Sequence, residues 1–172
     1  MKLHIGCGDD YRDGYVNIDS NEYSVADIIT HSDRLRLAPE SVEVIESCHF
    51  LEHLSRRDCL HSLIAWNRAL RPGGRLVIEV PDFEAVLQGF LAASYEDKWA
   101  EDLAPGHGFI QCIYGRQCDS GQYHLNGFSR ERLERLLIDH GFTPVPPTKA
   151  PRDKGFPSLR VEAVKARTLA PP

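Results

Sequence analysis

"LHIGCGDDYRDGYVNID" runs from Leu3 to Asp19. Its apolar start, Leu3 to Ile5, stops abruptly at Gly6-Cys7-Gly8. That reads as a buried strand followed by a glycine turn. Tyr15 to Ile18 reads as a second short strand, ending at Asp19. Strand, glycine turn, strand and terminal acid form a nucleotide-binding order. The glycines let backbone approach a ligand closely, and the acid accepts hydrogen bonds from ribose hydroxyls.

Further strands are expected at Ala26 to Ile29 and Val42 to Glu46. The period then changes: Leu60, Leu63, Ile64 and Leu70 fall on one helical face. Ser55 suits the N-cap, with Asp58 three residues on. Arg71-Pro72-Gly73-Gly74 reads as the stop of that helix, and "RLVIEVP", Arg75 to Pro81, as a fifth strand. Asp82 and Ser129 each cap a further helix, the second ended by Gly141 at C′. Tyr95 to Leu125 has no regular period. "FTPV" from Phe142 and "LRVEAV" from Leu159 close the chain with no helix between them, so one of them runs antiparallel.

This alternation predicts one α/β domain over residues 1–167, with residues 168–172 as a flexible tail. The sheet is Rossmann-like, doubly wound and mostly parallel, with about seven strands. The links between the first three strands are too short for ordinary crossover helices, so the first two of these are shortened or missing. An uncovered apolar sheet face would follow, and with it a homodimer.

The chain has 172 residues, 42% hydrophobic and 26% charged, with a net charge of -5. A mild acidic excess gives no footprint for a phosphate backbone, so nucleic acid is not an expected partner. Five cysteines in no disulfide or metal spacing point to a reducing, cytoplasmic setting. The start "MKLHIGCGDD" lacks a signal peptide's apolar stretch, and no apolar run approaches ~20 residues, so no membrane partner is expected.

"LHIGCGDDYRDGYVNID", "SCHFLEHL" and "LRPGGRLVIEVPD", in this order, resemble class I S-adenosylmethionine-dependent methyltransferases of the small-molecule type. The likeness covers roughly residues 2 to 82 well and the remainder loosely. It implies S-adenosyl-L-methionine as cofactor and methyl transfer to a small-molecule acceptor through an oxygen, nitrogen or carbon nucleophile. Glycan and natural-product intermediates are acceptors of relatives. By the same resemblance, Gly6, Cys7 and Gly8 lie against the methionine part of the cofactor and Asp19 holds its ribose. His31 and Ser32, with Asp33 as a substitute, lie by adenine, and Cys48 and His49 lie under the cofactor. With no helix N-terminus beside the turn, amides near Asp10 and Tyr11 would serve the cofactor's carboxylate.

His53, His107 and His124 are the candidates for a catalytic base, because imidazole takes a proton near neutral pH. Tyr114 and Tyr123 fall near two of them in sequence. Trp66 and Trp99 read as packing residues. A second reading is a catalytically weak module of this fold that binds cofactor or a partner. A third is a zinc hydrolase through His49-Phe50-Leu51-Glu52-His53. H-x-x-E-H needs an α-helix to bring both histidines to one face. Here it follows a β-branched strand, so no metal is expected.

Overall fold

The computed structural model describes residues 1–31, 35–95, 108–118, 121–151 and 156–169. The strands are β1 (Lys2–Ile5), β2 (Val16–Asp19), β3 (Ile28–Ile29), β4 (Val42–Cys48), β5 (Leu70–Pro81), β6 (Phe142–Val145) and β7 (Ser158–Lys165). The helices are α1 (Arg56–Ala69), α2 (Phe83–Ala92), α3 (Phe109–Tyr114) and α4 (Arg130–Asp139). A single 3-10 turn, Leu51–His53, separates β4 from α1.

One seven-stranded sheet has the order β3-β2-β1-β4-β5-β7-β6. The first five strands pair in parallel, and β7 runs antiparallel to β5 and β6. The chain winds outward from β1 to β3, then returns to the other side of β1 with β4. The switch point therefore lies between β1 and β4, whose carboxyl ends carry Gly6 and His49. Ligands of open α/β sheets bind at such a crevice.

The short front links are as expected: residues 6–15 and 20–27 contain no helix. Asn17 makes the first link workable. Its buried side chain accepts from Arg12 N–H (3.0 Å) and donates to the Arg12 carbonyl (3.1 Å), which fastens the loop to the strand.

The uncovered face is not apolar, and this removes the premise of the homodimer. Register aligns Leu3 with Val16 and Ile45, but His4 with Asn17 and Glu46. The apolar side packs against Leu63 and Trp66 of α1 and Leu133 and Leu137 of α4 in one core. The opposite side carries charge: Arg12 pairs with Glu46, and Arg160 with Glu79 and Glu162. Tyr15 Oη donates to Glu46 at 2.7 Å. A parallel sheet buried on both faces would read as continuous apolar runs, whereas these strands alternate.

Several details differ from the sequence reading. α1 ends at Ala69, and Leu70 already pairs with Val42. The next aligned pair is Val44 with Arg75, so Arg71 to Gly74 bulge out within β5 instead of ending the helix. The buried stripe of α1 is Cys59, Leu63 and Trp66, while Leu60 and Ile64 are only half-buried. The irregular region contains α3. Trp66 packs in the core as expected; Trp99 lies outside the described residues. Of the expected tail, Thr168 Oγ1 bonds Glu40 and Leu169 N–H donates to Asn67 Oδ1 at 3.0 Å, while residues 170–172 lie outside the described ones.

The three expected caps form. Ser55, Asp82 and Ser129 accept from the amides of Asp58, Ala85 and Arg132. Ser55→Ala should cost about 1 kcal/mol in urea denaturation. Burial works to raise the carboxyl of Glu162, but hydrogen bonds from Thr148 and the Arg160 guanidinium outweigh it and hold it below its ordinary 4.5. A depressed folded-state value stabilises the fold above the ordinary value, and that stability is lost as pH falls through the folded value. Glu162→Gln should therefore lose less stability than the parent between neutral pH and pH about 3, read from denaturation midpoints.

Candidate functional site

Three adjacent strand ends meet at the carboxyl edge of the sheet. β2 ends in Asp19, β1 in the Gly6 turn, and β4 in Cys48-His49. Gly6 N–H and Cys7 N–H both donate to the Ile18 carbonyl (2.8 and 3.2 Å), which folds the turn back over β2. Gly8 N–H donates to Asp19 Oδ2 at 2.8 Å, and Asn21 N–H to Oδ1 at 2.8 Å. Each carboxylate oxygen keeps a further lone pair for a ligand hydroxyl. Gly6 and Gly8 both have positive φ, and no atom stands within 4 Å of where a Gly8 Cβ would sit. A Cβ on Gly6 would strike the Phe50 side chain at 2.7 Å. The turn is therefore tight on its β4 side and open at Gly8.

A second cluster follows β4. His49 turns the chain with φ 53, and its N–H donates to the Glu79 carbonyl at 2.7 Å. Its Nδ1 lies 3.3 Å from Glu52 Oε1 and its Nε2 3.7 Å from Glu79 Oε1. Burial works to lower the His49 imidazole, but the two carboxylates outweigh it and raise it to about 9. His49 is thus an imidazolium at neutral pH. The Glu52 carbonyl accepts from Leu125 N–H (2.7 Å) and Asn126 N–H (3.0 Å), and Asn126 Nδ2 donates to the Leu54 carbonyl at 2.7 Å. These bonds bring His124 beside His53, with ring centroids 4.8 Å apart.

No protein-family profile matches the chain, and no curated protein sequence matches it. Solved structures do. The N1-methyltransferase of 1,6-didemethyltoxoflavin from Burkholderia thailandensis, solved with that compound and S-adenosylhomocysteine, is 19% identical at TM-score 0.64. The match covers 96% of this chain and 71% of that one. A putative methyltransferase in complex with the Trm112 activator, from Haloferax volcanii, is 16% identical at TM-score 0.63, over 98% of this chain and 83% of that one. A possible histamine N-methyltransferase from Thermotoga maritima is 14% identical at TM-score 0.60, over 95% and 81%. The chain has the Rossmann-like methyltransferase fold.

Within this methyltransferase fold, Gly6, Cys7, Gly8, Asp19, Cys48 and His49 gather at the carboxyl edge of the sheet. His31 is exposed just beyond β3, where Thr30 N–H donates to the Asp19 carbonyl at 2.7 Å. Ser32, Asp33 and His107 lie outside the described residues. The Asp10 amide is engaged by the Cys7 carbonyl at 2.8 Å, so it is not free for a carboxylate. His53 and His124 come together; His49 and His53 do not share an α-helical face, because only a 3-10 turn spans Leu51–His53. That removes the H-x-x-E-H pair in its helical form.

Sequence reasoning missed Arg12, Glu79 and Arg160. Arg12 reaches under the site, with Nη2 3.4 Å from Cys48 Sγ. For Glu79 the signal was available, a lone charge in the apolar run "LVIEV"; Arg12, in a polar loop, and Arg160, beside Glu162, carried none. Burial first, and then the charge of Asp19, push the Cys7 thiol up to about 11; burial also raises Cys48 despite Arg12. Neither thiol offers a nucleophile at neutral pH. A hollow of about 420 Å³ lined by Cys59, Asn126, Arg132 and Arg135 lies between α1 and α4. No described helix is long and apolar enough to cross a membrane.

Proposed function

We propose that the protein transfers a methyl group from S-adenosyl-L-methionine to a small-molecule acceptor. The observation that carries this reading is the Asp19 carboxylate bonded to Gly8 N–H at the β1–β4 switch point of a methyltransferase fold. The residues present fit the cofactor. Asp19 has two lone pairs for the ribose hydroxyls. The open backbone at Gly8 leaves space that a side chain would fill. Cys48 and His49 form the floor on the β4 side, and His31, Ser32 and Asp33 are assigned to the adenine side by family resemblance.

When bound, the cofactor's sulfonium would supply an electrophilic methyl group with a neutral thioether as its leaving group. The chain itself contributes alignment, exclusion of water and a place for the acceptor's proton. His53 Nδ1 lies 3.1 Å from the Tyr123 carbonyl, and His124 Nδ1 lies 2.9 Å from the Cys112 carbonyl. A carbonyl only accepts, so each neutral ring holds its proton on Nδ1 and offers the Nε2 lone pair. Burial lowers His124, which keeps that lone pair available at neutral pH. His53 and His124 are the bases of this proposal, together with His107.

Thermal denaturation with added nucleotides tests it. S-adenosylhomocysteine should raise the melting temperature, whereas NAD should not; the reverse would mark a different Rossmann-like cofactor. Gly8→Ala should cost about 1–2 kcal/mol in stability, because its φ is positive. It should abolish most of the S-adenosylhomocysteine shift, because the new methyl group occupies the open cradle.

A further inference from the structure

We infer that Glu52, His53 and His124 form a binding site for a divalent transition-metal ion. Glu52 is 1% exposed, and neither carboxylate oxygen accepts a hydrogen bond among the described residues. The His49 imidazolium faces this buried carboxylate from one side only, and a cation bound on the other side would offset the remaining cost of oxygens that accept no hydrogen bond. The two imidazoles have the arrangement that metal-ligating histidines show: Nδ1–H held by a backbone carbonyl, Nε2 free. One ligand atom from each of the three residues lies within 4.8 Å of the others. Tetrahedral sites with bonds of about 2.0 Å have ligand atoms about 3.3 Å apart, so binding draws the groups together.

His49 holds Glu52 from the far side through the 3.3 Å contact, as a neighbour that orients a ligating carboxylate does. It is not itself a ligand here, since its ring stands between Glu52 and Glu79. Two imidazoles and one carboxylate suit zinc or a similar first-row ion and disfavour magnesium, which prefers oxygen donors. Three protein ligands leave a fourth position open. An acceptor hydroxyl bound there would lose its proton to solvent more readily, and the two rings would then act as ligands in place of bases. That last role rests on the methyl-transfer reading; the metal site does not.

Calorimetric titration of zinc into the chelator-treated full chain, with melting temperature as a second readout, tests the site. The expected result is one zinc per chain, with a rise in melting temperature that magnesium at equal concentration does not give. Glu52→Gln and His53→Ala should each weaken zinc binding about 100-fold or more, while Cys118→Ser, at the exposed thiol, should leave it unchanged. Absence of stoichiometric binding, undiminished binding in both ligand variants, or loss of binding with Cys118→Ser would overturn the site. S-adenosylhomocysteine binding by the same metal-free chain is read separately, so failure of the methyl-transfer reading is distinguishable from failure of the metal site.

Discussion

Asp19→Ala is expected to weaken S-adenosylhomocysteine binding about 100-fold. The carboxylate would accept two charge-assisted hydrogen bonds from the ribose, each worth about 1.5–3 kcal/mol. A net loss near 3 kcal/mol corresponds to about two powers of ten in affinity. Part of the loss comes through the turn, because Gly8 N–H and Asn21 N–H also lose their acceptor. Asp19→Asn separates the two contributions. It keeps the shape and one acceptor oxygen, and its affinity should fall between parent and alanine variant. Calorimetry on all three chains, with melting curves to confirm folding, reads the result. Unchanged affinity in Asp19→Ala would remove Asp19 from the site.

Arg160→Ala is expected to destabilise the fold by about 3–5 kcal/mol, the usual cost of leaving buried charges uncompensated. The Arg160 side chain is 7% exposed, and it bonds Glu79 Oε2 at 3.4 Å and Glu162 Oε1 at 3.1 Å. Glu79 is fully buried between Arg160 and His49, so removing the guanidinium takes away one of the cations that compensate its charge. The melting temperature should fall by roughly 10 °C at the 2–4 °C per kcal/mol typical of this chain length. The double variant Glu79→Gln with Arg160→Met should recover much of the loss, because it removes charge from both partners at similar volume. A double variant no more stable than Arg160→Ala would mean that packing, not charge, carries the effect.

The fold was legible where local chemistry repeats itself. Gly6-Cys7-Gly8 before "YVNID", the caps Ser55, Asp82 and Ser129, and Gly141 after α4 each act within a few residues, and each forms as read. The missing front helices were legible too, from the short spacing between Ile5 and Asp19. What replaces them was not. The sequence reading supplied an apolar face and a second subunit, but the alternation in "VEVIES" and "LRVEAV" sends Glu46, Arg160 and Glu162 to that face. Reading it needed the register between strands, since a charge in a short strand looks the same whether it faces water or a partner. The Arg71 to Gly74 bulge was hidden for a related reason: proline and two glycines suit a helix stop and a bulged strand equally well.

The site was legible in part. The candidate cofactor edge of the proposal follows from strand ends, which the sequence marks. The cluster of Glu52, His53 and His124 does not, because it depends on backbone bonds from Leu125 and Asn126 to Glu52 across about 70 residues. "SCHFLEHLS" carried two of its members, and its β-branched lead-in already argued against an α-helix, but nothing in it pointed to His124. An α-helix would pair His49 with His53, whereas the 3-10 turn gives His49 to Glu79 and frees His53 for His124.

The central claim is that the β2, β1 and β4 ends bind an S-adenosyl nucleoside. Isothermal titration of the unmodified chain with S-adenosylhomocysteine tests it most directly. One molecule bound per chain, with affinity in the micromolar range, is the predicted result. A folded chain that gives no binding heat and no rise in melting temperature with either S-adenosylhomocysteine or S-adenosyl-L-methionine would contradict it.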